Sequence, residues 1–143
     1  MPLKQKVLSR KALVAGLCVP PCIHGTPPRS FGSDLIEARL APDMLPFGYQ
    51  VKSCAAHSIG GIEGVKAGNF SPDLSPWPTN LASLHAVLQG AIASLNEIDR
   101  EALDALADND TQFAFGETKL PFTGANFLLS FSQPNFYFHA TIA

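Results

Sequence analysis

The stretch TNLASLHAVLQGAIASLNEI, residues 79–98, decides the fold class. Leu81, Leu84, Leu88, Ile92, Leu95 and Ile98 recur every three or four residues, which is the continuous apolar stripe of an α-helix. Thr79 or Asn80 supplies its N-cap oxygen. A short acidic helical turn is expected over 99–107. Upstream, Phe47, Val51, Cys54, Ala55, Ile59 and Ile62 keep the same spacing and predict a helix over 47–65. Gly60, Gly61 and Gly64 each weaken its far end by up to about 1 kcal/mol against alanine, which the close approach of a neighbouring backbone would justify. Between these helices, Gly68, Asn69, Ser71, Pro72, Ser75, Pro76 and Pro78 make 67–78 a loop, with Phe70, Leu74 and Trp77 pinning it to the body. Asp34 to Leu40 reads as a short helical piece capped by Ser33, with Leu35, Ile36 and Leu40 near one face.

Downstream the period changes. Phe113 and Phe115 alternate with polar neighbours, Gly116-Glu117 turns the chain, and Lys119, Leu120 and Phe122 return, which predicts a β-hairpin over 111–122. A lone hairpin is marginal in water, so it must pack on the helices. Thr123 and Gly124 open a last helix whose apolar side is Phe127, Leu128, Phe131, Phe138 and Ile142. Pro134 inside it costs about 3 kcal/mol unless a local distortion accommodates it. The pattern as a whole is all-α, a helical bundle with a small β-hairpin insertion.

Composition bounds the function. The chain has 143 residues, one domain's worth, with 46% apolar and 15% charged residues. A net charge of −2 argues against a nucleic-acid module held by phosphate contacts. The sequence has no run of 18 apolar residues, so no membrane-spanning helix is expected. The charge is unevenly spread. Residues 1–33 hold Lys4, Lys6, Arg10, Lys11 and Arg29, no acid, and five of the twelve prolines, whereas 34–143 hold all twelve acids. The chain therefore divides into a basic, proline-rich segment, 1–33, and a body, 34–143. Three readings of the first segment stay open: a secretory signal-like stretch around Ala12–Val19, a transit-type segment, or an unstructured N-terminus.

Cys18, Cys22 and His24 have short metal-like spacing, but no second ligand pair follows them, and structural zinc needs four ligands. Three cysteines cannot complete a disulfide framework. Reduced thiols in a cytoplasmic protein fit better. Neither a phosphate-cradling glycine loop nor a nucleophile elbow occurs in the sequence. His57 lies seven residues after Gln50, so the two can share a helix face. His139 lies four residues after Asn135, the spacing by which a helix presents ligands or a polar relay to a bundle interior. In the simplest reading Asn135 and His139 hydrogen-bond each other and a core carbonyl. Asp43, between Pro42 and Met44, reads either as a cap for the next helix or as an acid or base at a pocket mouth. The aromatics of Asn135-Phe136-Tyr137-Phe138 suit a core or a pocket wall for a planar ligand.

Two segments carry a family resemblance. EARLAPDMLPFGYQ, residues 37–50, and TGANFLLSFSQPNFYFHAT, residues 123–141, resemble domain-of-unknown-function family 1993 through the LAPDM-x-P element followed later by PNFYFH. That family looks like a branch of the DinB-like (YfiT-like) four-helix bundles. The resemblance implies such a bundle over 34–143, with the first helix incomplete and its place taken by the basic segment. It also implies a chain shorter than its relatives at the last helix, hence either a homodimer covering the gap or marginal stability. DinB-like proteins hold a divalent metal with three histidines. The counterparts here are Gln50, Asn135 and His139, of which one is histidine, and an amide oxygen is a poor ligand for zinc or nickel. The resemblance therefore implies no metal or other cofactor. It implies instead a small-molecule pocket in which His139 and Asp43 act as acid–base groups and Gln50, Asn135 and Tyr137 bind substrate. The expected function is a small accessory protein, by analogy an enzyme of fungal secondary-metabolite biosynthesis. The alternatives are a non-catalytic, stress-associated binding bundle and a metal-dependent DinB-like transferase.

Overall fold

A computed structural model describes residues 29–143 of the chain. The segment with Cys18, Cys22 and His24, and the readings attached to it, lie outside the described residues.

The first helix, α1, spans Arg29–Ile36. It starts earlier than the sequence pattern suggests and crosses the composition boundary. Ser33 is therefore not its cap but lies within it, its carbonyl accepting from the Glu37 N–H at 3.3 Å. Ile36 is fully buried, while Leu40 falls in the following turn and is 73% exposed. Pro42 and Pro46 then redirect the chain into α2, Phe47–Ala55. This helix continues through a π turn, π1, Ala56–Gly60, into α3, Gly61–Ala67. Gly68 ends α3 in the left-handed region, φ 75°, where a Cβ would be strained.

The segment read as a loop then contributes a short strand, β1, Asn69–Phe70. Its pairing partner lies some forty residues later in the chain, since β1 lies parallel to β2, with Asn69 opposite Gln112 and Phe70 opposite Phe113. Phe70 is buried and Trp77 half-buried, but Leu74 is exposed and anchors nothing. Trp77 Nε1 donates to Glu37 at 2.9 Å. Lys52 holds the loop from the other side, donating to the Ser75 carbonyl at 2.7 Å and pairing with Asp73 at 2.8 Å. That pairing, first through the Lys52 hydrogen bond and then through Ser75, lowers the Asp73 carboxyl to about 2.

The long helix α4, Leu81–Glu97, is capped by Asn80, whose side chain accepts from the Ser83 N–H. Its buried residues are Leu84, Leu88, Ala91 and Leu95, the stripe expected from the sequence. Asp99 caps the short helix α5, Arg100–Ala105. The hairpin follows as β2, Asp110–Phe115, and β3, Thr118–Thr123, antiparallel from Asp110–Thr123 to Phe115–Thr118. Gly116, φ 57°, makes the first residue of its two-residue turn. The molecule is thus mostly helical, as the sequence pattern suggests, and its small sheet has three strands, ordered β1-β2-β3, rather than the two of a hairpin. Period-two alternation reveals a hairpin, but a two-residue strand has no period to read.

Thr123 caps α6, Gly124–Asn126. A second π turn, π2, Phe127–Ser132, leads into α7, Gln133–Ile142. Pro134 sits in the first turn of α7, where its missing N–H is tolerated. The wider π turn before it shifts the helix face. For that reason Phe136 is fully buried and Phe138 is 55% exposed, the reverse of what a straight 3.6-residue helix predicts. Phe113, Phe122 and Phe131 bind the hairpin to the helices, with the Phe113 and Phe131 centroids 4.7 Å apart. Burying Phe127 and Phe136 completely contributes roughly 2–3 kcal/mol each. No helix among the described residues is long and apolar enough to cross a membrane.

Candidate functional site

The two π turns face one another. Ser132 Oγ, in π2, donates to the His57 carbonyl, in π1, at 2.8 Å. Gly61 makes this approach available, since a Cβ there would meet Ser132 Oγ. A π turn costs helical regularity and is often kept where a side chain must be aimed. Here π1 carries His57, and π2 carries Phe131 and leads into α7, from which His139 projects.

The His57 and His139 rings stack, with centroids 5.4 Å apart and planes 16° apart. Phe70 lies 5.4 Å and Phe131 6.1 Å from the His57 ring. Tyr49 meets His139 edge-on at 6.1 Å. From α2, Gln50, only 4% exposed, reaches both ways. Its Nε2 donates to the Leu45 carbonyl at 2.8 Å, and its Oε1 lies 2.7 Å from His139 Nδ1. The first bond orients the amide, so the oxygen faces the imidazole and can only accept. The network therefore assigns the His139 proton to Nδ1 and leaves Nε2 as a bare acceptor.

Among the described residues, His57 Nδ1 is the buried side-chain nitrogen or oxygen without a hydrogen-bond partner. Among the described residues His139, half-buried, makes its side-chain hydrogen bond through Nδ1 and none through Nε2. A buried lone pair without a partner is easier to tolerate than a buried N–H, which places the His57 proton on Nε2. Burial, and then the charge of His139, pushes His57 down to about 4. Burial also lowers His139 from its ordinary 6.5. Both rings are neutral at pH 7. Cys54, one turn before His57, is buried and pushed up to about 11 by desolvation, so its thiol stays protonated.

The structure brings Gln50 and His139 together, 89 residues apart in sequence. It does not pair Asn135 with His139. Asn135 Nδ2 turns back to the Phe131 carbonyl at 2.7 Å, closing the end of π2. Tyr137 is 45% exposed and packs edge-on against Phe136. Two residues span about 200° of a helix, so it projects away from His139. Asp43 is exposed in the turn before α2. It does not cap that helix, whose N-cap is Pro46 with no side-chain bond. His57 is the residue that the site adds to the expected set, and its i+7 relation to Gln50 is the signal for it.

The residues do not fit the three-histidine metal set of DinB-like proteins. Both polar atoms of Gln50 and the Nδ2 of Asn135 are engaged within the protein, and amide oxygens are weak ligands for zinc or nickel. Among the described residues no three His, Cys, Asp or Glu side chains come together.

The helical layout with its small sheet defines a DinB-like fold. It superposes on the crystal structure of a DinB family member protein from Shewanella denitrificans with a TM-score of 0.59 and 24% identity, covering 77% of this chain and 62% of that one. This chain thus spans less than two thirds of that protein's length. The model of the domain-of-unknown-function family DUF1993 matches residues 29–143, and the chain belongs to that family. No protein of curated function matches it in sequence.

Proposed function

We propose that this protein is a helical accessory protein that binds a small organic molecule beside the His57–His139 stack and moves a proton with His139. In this reading α1, α2–α3, α4 and α6–α7 are the four helices of a DinB-like bundle. The observation that carries the proposal is the relay from the Leu45 carbonyl through Gln50 to Nδ1 of the half-buried His139, which leaves Nε2 as the basic atom of the ring. A base depressed by burial stays unprotonated at neutral pH and is ready to accept. Gln50 fixes its tautomer, as a carboxylate or amide does for many catalytic histidines. Asn135 supports the site indirectly by closing π2. The setting in fungal secondary-metabolite biosynthesis, carried from the family resemblance, belongs to this proposal.

The test is metabolite profiling of a gene deletion complemented with wild-type protein or His139→Phe. The expected result is one accumulated intermediate in the deletion, cleared by wild type and retained with a folded His139→Phe. Full product formation with that variant refutes proton transfer by His139.

A second reading, a non-catalytic bundle that pairs with another copy, is supported by Leu35, Leu40 and Leu45, respectively 37%, 73% and 42% exposed. Leu35, Leu40, Met44, Leu45 and Ile142 line a cavity of about 140 Å³ that reaches Gln50. Sedimentation showing a monomer across the micromolar range removes this reading.

A further inference from the structure

Resting on the reading of His139 as the working base, we infer that the ligand is a small uncharged hydroxyl compound, a phenol or an enol, whose O–H donates to His139 Nε2. Three observations select this class. The first is polarity. Gln50 Oε1 at 2.7 Å from His139 Nδ1 uses up the only N–H of the neutral ring, so what faces outward is an acceptor, and its partner must be a donor.

The second is charge. Neither imidazole carries a proton in excess at pH 7, so a carboxylate or phosphate meets no opposite charge there. The basic residues on the neighbouring elements are held elsewhere. Lys52 is bound to Asp73 and Ser75, and Arg39, exposed, donates to the Met44 carbonyl at 2.6 Å. An anion would shed water for a bare lone pair without compensation.

The third is shape and surface. His139 is framed by ring systems: His57 stacked at 5.4 Å, Tyr49 edge-on at 6.1 Å and Phe138 edge-on at 5.3 Å. Such walls suit a planar, conjugated body. Phenols and enols combine that body with a hydroxyl donor. They also suit a base lowered by burial, which is itself unprotonated and so accepts the hydroxyl's hydrogen bond.

The experiment uses the full chain labelled with ¹⁵N-histidine at about pH 7.5, titrated separately with phenol, anisole and benzoate. Phenol and anisole share a ring and an oxygen, and only phenol donates. The expected result is a shift of the His139 Nε2 resonance with phenol, at an affinity about ten-fold above those of anisole and benzoate, the worth of one hydrogen bond. Equal affinity for anisole or benzoate, or no His139 shift with any of the three, overturns the inference. In Gln50→Glu the new carboxylate favours the imidazolium, and Nε2 becomes a donor. The phenol preference is then lost, as it is in His139→Phe. Its survival in either folded variant overturns the inference. Phenol selectivity in the wild type, with full product formation by His139→Phe in cells, supports the ligand class and refutes the proton transfer instead.

Discussion

Acidification destabilises this fold through His57, and His57→Phe removes most of that sensitivity. The unfolded chain takes up a proton at His57 near 6.5, whereas the folded protein resists until about 4. The folded pKa is depressed, so the unfolded state binds more protons between these values and stability rises with pH there. The contribution is whole above 6.5 and is lost as the pH falls toward 4. A difference of this size corresponds to about 3 kcal/mol. His139, also lowered by burial, pushes in the same direction, and because its charge lowers His57 the two titrate as a pair. Asp73, at about 2, titrates below the interval, and Cys54, at about 11, above it. Phenylalanine keeps the ring contacts with Phe70 and Phe131 and takes away the unpartnered Nδ1. Urea unfolding at steps between about pH 7.5 and 4.5 measures the effect. Wild type is expected to lose on the order of 3 kcal/mol across the interval through His57, and His57→Phe to lose clearly less, the remainder coming from His139. A variant whose stability falls as steeply as wild type refutes the assignment of the burial penalty to His57.

Three further substitutions test local structure. Gly124→Ala drives a Cβ into the Leu106 carbonyl and to 2.7 Å from Val65, and is expected to cost about 1–3 kcal/mol in chemical denaturation. Gly90→Ala, with nothing within 4 Å of its Cβ in the middle of α4, should instead stabilise by up to about 1 kcal/mol. Lys52→Met removes the bonds to Ser75 and Asp73. It is expected to cost about 1–3 kcal/mol and to return the Asp73 carboxyl toward its ordinary 3.8, read by NMR titration.

Local patterns were legible wherever a single period runs uninterrupted. The stripe of α4, its Asn80 cap, the hairpin and the Thr123 cap all follow from residues within a few positions of one another. The same logic misplaced the aromatic face of the last helix. One wide turn before Pro134 rotates everything after it, burying Phe136 and exposing Phe138. The pattern carries no mark of that turn, because a π turn arises from the packing of Ser132 against Gly61 and the His57 carbonyl. The strand Asn69–Phe70 was likewise illegible, since only β2, some forty residues later, makes it a strand.

The candidate site divides in the same way. Helical spacing placed Gln50 and His57 on one face and His139 on another helix, and the family motif marked Gln50, Asn135 and His139 as counterparts of a ligand set. Sequence alone therefore determined which side chains stand on which helix. Tertiary structure decided what they do, because hydrogen bonds saturate. Once Gln50 is anchored by the Leu45 carbonyl it has one oxygen left to offer, and His139 takes it. Asn135 is drawn to the Phe131 carbonyl and leaves the pair. The stacking of His57 on His139, and the burial that keeps both rings neutral, depend on two π turns meeting across the core.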